Sequence, residues 1–500
     1  MRLSFIASQL DEVVEQRGPL DVDVNGVVCD SRLVKPGRLF VAMAGTKEDG
    51  RRYVEAAVAA GAVAVVAEGP LEIGDASVAF IQVANAARTL SRIADVLYAK
   101  PSHTLKLAAV TGTNGKTTTA FLIHHLMTCG WQRAGLLGTV LYDDGATRKP
   151  ADRTTPPAHE IHRLLAQMRE NGCRGAVMEV SSHGLMQDRV AYLRFDAAVF
   201  TNLTRDHLDY HGTMEEYYKA KERLAVLLAA QRSSGGKDAL LAINTDDVHG
   251  QRMARDFTGR VRMTTFGFGA RCDFRALRME AGVRGTTFAL SAKGREFLVK
   301  IPLIGRFNVY NTMGALAAAD GLELNFREAV QNMATAPQVP GRLERVIDQG
   351  AYCVFVDYAH TPDALSNVLT TLRELKPSRI ITVFGCGGDR DREKRPMMGR
   401  IASQMSDVCV ITSDNPRSEK PLAILREIEA GITARNYRVV EDRREAIRMA
   451  VRLAGDGDVV LLAGKGHEDY QEAQGLKQPF DDRIEARRAD QDRRREGGTA

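Results

Sequence analysis

The chain has 500 residues, of which 44% are hydrophobic and 26% charged, with a formal net charge of +5. That length exceeds one ordinary core and sets an expectation of about three domains, while the balanced composition excludes a disordered chain and so small a positive excess is no nucleic-acid signature. Seven scattered cysteines, never paired as CxxC, argue against a disulfide framework or a zinc site; the amino terminus lacks the apolar core of a signal peptide, and no apolar run approaches ~18 residues, so a cytoplasmic protein without membrane insertion is expected.

Residues 1–104 read as a small N-terminal α/β domain. Apolar runs at Gly37–Ala44 and Ala62–Ala67 predict strands, and the patterns at Tyr53–Ala60 and Ala86–Tyr98 predict helices. Lys100, Pro101 and Ser102 then break the helical pattern. From Leu105 to residue 338, apolar strands at LKLAAVTG, Gly175–Val180, Phe195–Thr201 and Ala239–Ile243 alternate with helical segments. Such alternation predicts a central P-loop ATPase-type parallel sheet covered on both faces. Short alternating stretches at Thr286–Leu290 and Phe297–Ile301 predict antiparallel strands appended to it. Residues 339–500 repeat the doubly wound pattern: strands at Tyr352–Asp357, Ile380–Phe384, Val408–Thr412 and Val459–Ala463, with a helix at Pro362–Leu375. They predict a C-terminal Rossmann-like domain. The charge-dense end, RIEARRADQDRRREGGTA, reads as a solvated helix end that frays.

The most informative segment is VTGTNGKTTT at 110–119. A strand runs into Gly112, a turn carries Thr113 and Asn114 to Gly115, and a helix opens at Lys116. Unpaired N–H groups at a helix start cradle phosphate, and glycine lets the backbone approach it. Lys116 supplies a cation against the terminal phosphates, and the hydroxyl of Thr117 or Thr118 suits Mg²⁺. Val110 stands where the full GxxxxGK[ST] pattern has its first glycine. A P-loop alone does not separate a kinase, a GTPase, a motor and a ligase, although the absence of NKxD lowers the GTPase reading.

Nine collinear strings resolve this. They are TGTNGKTTT at 111–119, EVSSHGL at 179–185, TNLTRDHLDYHG at 201–212, YKAKERL at 218–224, GRFNVYN at 305–311, DYAHTPDAL at 357–365, GCGGDRD at 385–391, DNPR at 414–417 and GKGHEDYQ at 464–471. In this order they resemble the Mur ligases over nearly the whole chain. The resemblance implies ATP-dependent amide formation: meso-2,6-diaminopimelate added to the D-glutamate γ-carboxylate of UDP-N-acetylmuramoyl-L-alanyl-D-glutamate through an acyl phosphate. It implies residues 1–104 as a UDP-binding domain, 105–338 as the ATP-binding domain and 339–500 as the amino-acid-binding domain, in a monomer with no nucleic-acid partner. Closure of the third domain would keep water from the acyl phosphate.

By the same resemblance, Lys116, His207 and Lys221 are expected to be catalytic. Thr117, Glu179, His207 and Lys221 would organise Mg²⁺, two ions in all. Lys221, which on composition alone is an ordinary exposed helix lysine, would carry a CO₂-derived carbamate that turns a cation into a carboxylate. Asn308, Asn311, Arg342, Asp357 and His360 match nucleotide-contacting positions. Ser31, Thr154, Thr155, Ser182, Gln187 and Arg189 match positions lining the UDP-linked peptide. Arg390, Asp414, Asn415, Pro416, Arg417, Gly464 and Glu468 match positions around diaminopimelate. A guanidinium at Arg417 suits the carboxylate that diaminopimelate has and lysine lacks. The alternatives left open are a lysine-adding or folylpolyglutamate-type relative and, in a different class, a nucleic-acid-stimulated P-loop ATPase.

Overall fold

The computed structural model describes residues 1–45, 48–348 and 350–497. It forms two compact units: Met1–Arg275 with Ser291–Arg295 and Tyr310–Asn332, and Ala276–Leu290 with Glu296–Val309 and Met333–Ala500. The last three residues of the charged tail lie outside the described residues.

The first unit holds two sheets. In the N-terminal one, Ala79–Val83, Ala62–Glu68, Arg38–Ala42 and Gly26–Val28 pair in parallel, and Val13–Arg17 closes one edge antiparallel. Alternate side chains leave opposite faces of a strand. Leu39, Val41, Ala64 and Val66 therefore pack with Leu90, Ile93 and Ala94 of helix Ala86–Leu97. Phe40, Val65 and Phe80 pack on the other face with Val54 and Ala57. The predicted Tyr53–Ala60 helix is present as Val54–Ala59, preceded by a 3₁₀ turn at Gly50–Tyr53 that the Asp49 side chain caps.

The second sheet of this unit runs in the order Arg262–Gly267, Leu240–Asn244, Ala197–Phe200, Lys106–Thr111, Gly175–Glu179, Ala134–Leu137, all parallel. Both faces are buried, which is why these strands read as continuous apolar runs. Gly175–Glu179 and Ala197–Phe200 are consecutive in the chain yet flank Lys106–Thr111 on opposite sides. The strand order thus reverses at the carboxyl end of Lys106–Thr111, where open α/β sheets bind ligands.

Two short antiparallel strands, Leu141–Asp143 and Arg148–Pro150, also border this sheet and carry too short a pattern to be predicted. The predicted Thr286–Leu290 and Phe297–Ile301 fall within strands Gly285–Ala292 and Arg295–Ile301, neighbours in the series that begins at Phe274–Gly282. The entry into that series is parallel, Phe266 facing Phe274. Asp273 folds the chain back there, its carboxylate accepting the Thr265 N–H and hydroxyl at 2.8 Å each.

In the second unit, Cys353–Asp357, Val459–Ala463, Ile380–Phe384, Val408–Ile411 and Tyr437–Val439 form a parallel sheet with Glu344–Ile347 antiparallel at one edge. Helices Pro362–Glu374, Lys394–Met405 and Pro421–Glu429 cover one face. Helices Arg443–Leu453 and Asp482–Gly497 cover the other. The charged end is therefore docked rather than solvated: Ala486 and Ala489 are buried, and the buried Asp482 carboxylate takes a bidentate pair from buried Arg443 at 2.8 and 2.7 Å. Charge density hid this because the apolar face of the helix is made of small alanines.

Candidate active site

The phosphate loop starts from the buried strand Lys106–Thr111 and ends at Gly115, which caps helix Lys116–Trp131 in the left-handed region at φ 86°. A Cβ there would stand 2.3 Å from Asn311 Oδ1, and one at Gly112 would stand 1.9 Å from Thr201 Oγ1. Both positions exclude any larger residue. Asn114 N–H donates to Asn202 Oδ1 at 2.9 Å, and Thr113 Oγ1 lies 3.1 Å from the Tyr217 hydroxyl. Thr118 is buried in the first helical turn. Lys116 Nζ folds back on the Gly112 and Thr113 carbonyls at 3.0 and 2.8 Å.

Glu179 ends the neighbouring strand and is fully buried, unlike a typical acidic strand end. Its Oε2 accepts the hydroxyls of Thr117 and Thr139, both at 3.0 Å, and its Oε1 accepts the Thr139 N–H at 2.8 Å. Thr139 belongs to none of the recognised strings, so sequence reasoning missed it. Among the described residues no three His, Cys, Asp or Glu side chains converge as a metal cluster. A hard cation beside Glu179 would complete its shell with the Thr117 hydroxyl and phosphate oxygens, an oxygen set that suits Mg²⁺.

Lys221 comes from helix Met214–Ser233, whose Thr213 cap accepts the Glu216 N–H. It is 1% exposed, against the exposed position that a lone helix lysine ordinarily takes. Its Nζ donates to the Gly112 carbonyl at 2.7 Å and sits 4.8 Å from the Tyr217 ring centroid. Burial first, and the charge of Lys116 second, hold its pKa well below that of a free lysine. His207, in the left-handed region at φ 52°, has its pKa lowered by burial, with Asp206 at 3.6 Å opposing. Its ring meets His183 edge-on at 5.1 Å. His211 stacks on Tyr217 at 4.9 Å and contacts Ser182 Oγ at 2.9 Å. His183 and Tyr217 stand inside and beside recognised strings, but nothing in their spacing marked them; His211 shares the HLDYH spacing with His207, which suggests a metal pair, yet here it meets Tyr217 and Ser182.

Four of the residues assigned to the nucleotide-linked peptide, Thr154, Thr155, Gln187 and Arg189, form one connected group around Glu179. Thr154 Oγ1 lies 3.0 Å from Thr139 Oγ1, and Thr155 Oγ1 donates to the Glu179 carbonyl at 2.9 Å. Arg189 donates to the Thr155 carbonyl at 2.5 Å and to Gln187 Oε1 at 2.5 and 3.1 Å. Half-buried Ser31 sits in a 3₁₀ turn capped by Asp30. Cys29, two residues earlier, packs against His159, its thiol pushed up to about 11 by burial while Arg153 and Arg189 oppose the shift.

Of the positions expected to contact the nucleotide, Asn311 lies against the phosphate loop and accepts the Thr119 hydroxyl at 3.3 Å. Asn308, on the same helix, donates from Nδ2 to the Ile304 carbonyl at 2.8 Å. Arg342, Asp357 and His360 gather within the second unit. Asp357 accepts the Leu343 and Ala359 N–H groups at 2.6 and 2.8 Å, and its pKa is pushed up to about 6 by burial, with Arg342 opposing. Arg342 lies over the Tyr358 ring, and His360 Nδ1 is 2.8 Å from the Tyr358 carbonyl.

The positions expected around the incoming amino acid lie on three loops that leave the carboxyl ends of adjacent strands in the second unit. Asn415 is 2% exposed; its Nδ2 donates to Glu468 Oε2 at 2.8 Å. Gly464 N–H donates to the Asp357 carbonyl at 3.0 Å, and the Asp414 carboxylate accepts the Asn415 N–H at 2.7 Å. Buried Pro416 leads into Arg417, which is left-handed at φ 52°. The Arg417 guanidinium donates to the Gly388 carbonyl at 2.7 Å and lies 3.5 Å from the Glu472 carboxylate. Arg390 is exposed and donates to its neighbour's carbonyl.

Residues 110–319 match the Mur ligase middle domain, 341–466 the Mur ligase glutamate ligase domain, and 23–98 the Mur ligase family catalytic domain. The chain belongs to the Mur ligase family. A Mur ligase is an ATP-dependent, amide-bond-forming enzyme, and the phosphate loop and its carboxylate neighbour are the parts that such chemistry requires. This Mur ligase is 44% identical to the UDP-N-acetylmuramoyl-L-alanyl-D-glutamate–2,6-diaminopimelate ligase of Chlorobaculum tepidum over 96% of both chains. It is 43% identical to the enzyme of the same name from Geobacter metallireducens over 97% of both. A solved structure of a ligase with that name superposes with a TM-score of 0.71 at 34% identity over 99% of each chain. Among the described residues no helix is long and apolar enough to cross a membrane.

Proposed function

We propose that this Mur ligase joins meso-2,6-diaminopimelate to the D-glutamate γ-carboxylate of UDP-N-acetylmuramoyl-L-alanyl-D-glutamate, in the cytoplasm, as a step of peptidoglycan synthesis. Relatives of that name align over nearly the whole chain. The observation that carries the chemistry is the Thr117–Glu179 pair at 3.0 Å beside the phosphate loop. The reading gives residues 1–104 the UDP end, 105–338 the ATP and 339–500 the incoming amino acid.

A carboxylate is a poor electrophile, so it is activated first. One γ-carboxylate oxygen attacks the terminal phosphorus of ATP, the bond to ADP breaks, and an acyl phosphate forms. The diaminopimelate amine then attacks the acyl carbon, loses a proton, and phosphate leaves. Phosphoryl transfer depends on positioning and charge neutralisation. Gly112–Thr118 hold the phosphates with backbone N–H groups and the Lys116 ammonium. Thr154, Thr155, Ser182, Gln187 and Arg189 orient the acceptor peptide. Thr117, Glu179 and His207 would hold Mg²⁺, whose charge, when bound, offsets that on the transferring group. Lys221, low in pKa, would react as the neutral amine with CO₂, giving a carbamate and releasing a proton. Arg417 would pair with the distal carboxylate of diaminopimelate, helped by Arg390, Asp414 and Asn415.

Phosphate release with the UDP-linked dipeptide tests this. Release should require both ATP and meso-diaminopimelate, and lysine should replace it poorly. Equal rates with lysine, or release driven by nucleic acid instead, would remove the reading.

A further inference from the structure

GKGHEDYQ contributes a lysine that has no part in the scheme above. Lys465 is completely buried, yet it lies between strand Val459–Ala463 and the Glu468 turn rather than in an apolar core. Its Nζ donates to Asn415 Oδ1 at 3.0 Å and to Glu468 Oε2 at 3.3 Å. Asn415 Nδ2 donates to the same Glu468 oxygen at 2.8 Å. The three side chains close a triangle. Asn415 Oδ1 also accepts the Glu472 N–H at 3.0 Å, so its amide can face only one way. Glu468 Oε2 takes both donors of the triangle.

Burying a charge is costly unless it is paired and hydrogen-bonded, so a lysine kept here must serve its partners. We propose that Lys465 is a positioning residue for amino-acid selection: it keeps Glu468 ionised and fixes Asn415, so that the pocket presents a carboxylate to the ammonium of the incoming amino acid. This rests on the reading that Asn415 and Glu468 contact that amino acid. The charges around Glu468 agree with this in sign. Its pKa is raised by burial first; Lys465 lowers it and Asp414 raises it. Tyr358 and Tyr470 face it as neutral phenols, and Arg443 is a further cation. Among the described residues, Lys465 is the charged group that hydrogen-bonds it directly.

The test is K465M and K465R in the full-length enzyme, with KM and kcat for diaminopimelate, ATP and the UDP-linked dipeptide measured from pH 6 to 9. Losing the ion pair should raise the diaminopimelate KM of K465M about tenfold or more, the size of a charge-assisted contact. Its ATP and dipeptide KM should stay within about twofold, on the same scale. The acid limb of its diaminopimelate kcat/KM profile should move to higher pH, since Glu468 then protonates more readily. K465R should recover part of the loss. In a K465M/E468Q double variant, the lysine change should add little to E468Q alone. K465M within twofold of wild type with an unmoved pH profile, or all three KM values rising together, overturns the proposal. Should K465M not fold, K465Q keeps a hydrogen-bonding head without the charge and must give the same pH displacement. A wild-type enzyme that ignores diaminopimelate would overturn the assigned substrate instead, a distinct result.

Discussion

Lys221 Nζ donates to the Gly112 carbonyl oxygen at 2.7 Å, joining two residues 109 positions apart. One helix thereby delivers a buried amine to the loop that holds phosphate. That amine has a carbonyl and an aromatic face for company and, among the described residues, no carboxylate within its hydrogen-bonding shell. An amine so placed loses its proton easily, which is the form that captures CO₂.

Lys221→Ala should therefore lower kcat by about 10²-fold, as when a preorganised polar group is removed from a phosphoryl-transfer site. Short carboxylates such as acetate should restore part of the activity by standing in for the carbamate. A titration of the variant with acetate checks this, and a flat response would count against the modification.

Gly115→Ala places a Cβ 2.3 Å from Asn311 Oδ1 in a left-handed residue. The cost should be roughly 1–3 kcal/mol of stability. Thermal unfolding should report a lowered midpoint, and ATP KM should rise because the loop shifts to relieve the contact.

Arg417→Ala should reduce kcat/KM for diaminopimelate by about 10²-fold or more, since a site built for a polar partner discriminates strongly against its loss. ATP affinity, read by equilibrium binding, should be unchanged. Equal losses for diaminopimelate and lysine would remove Arg417 from selection.

His162 is fully buried 3.8 Å from Asp95, and neither ring nitrogen has a hydrogen-bond partner among the described residues. Burial lowers its pKa from 6.5 to about 3. A depressed folded-state value contributes stability that is present above pH 6.5 and lost as pH falls towards 3. Asp95, pushed up to about 6 by burial, works the other way: its contribution is present below 3.8 and lost as pH rises through 6. His162→Leu should leave a protein that loses about 2 kcal/mol less stability than wild type between pH 7.5 and 5. Urea unfolding at the two pH values measures this, and equal losses would contradict it.

Several features were legible without coordinates. Helix Ala86–Leu97, strands Ile380–Phe384 and Val459–Ala463 and the helix opening at Lys116 agree with their sequence patterns. Strong periodicity and a glycine turn encode these locally. The docked final helix, the short antiparallel strands at Leu141–Asp143 and Arg148–Pro150 and the parallel turn at Asp273 were not, because each depends on partners distant in the chain.

The site divides in the same way. The order of the chemical strings along the chain determined by itself that phosphate, carboxylate and amine would be handled by one protein, since such strings keep their meaning wherever the fold carries them. Only the tertiary structure decided that Glu179 is anchored by Thr139, that Tyr217 is shared by Lys221 and His211, and that Lys465 holds Asn415 and Glu468. Burial and angular hydrogen bonding are set by neighbours in space, and no local pattern of residues states who those neighbours are.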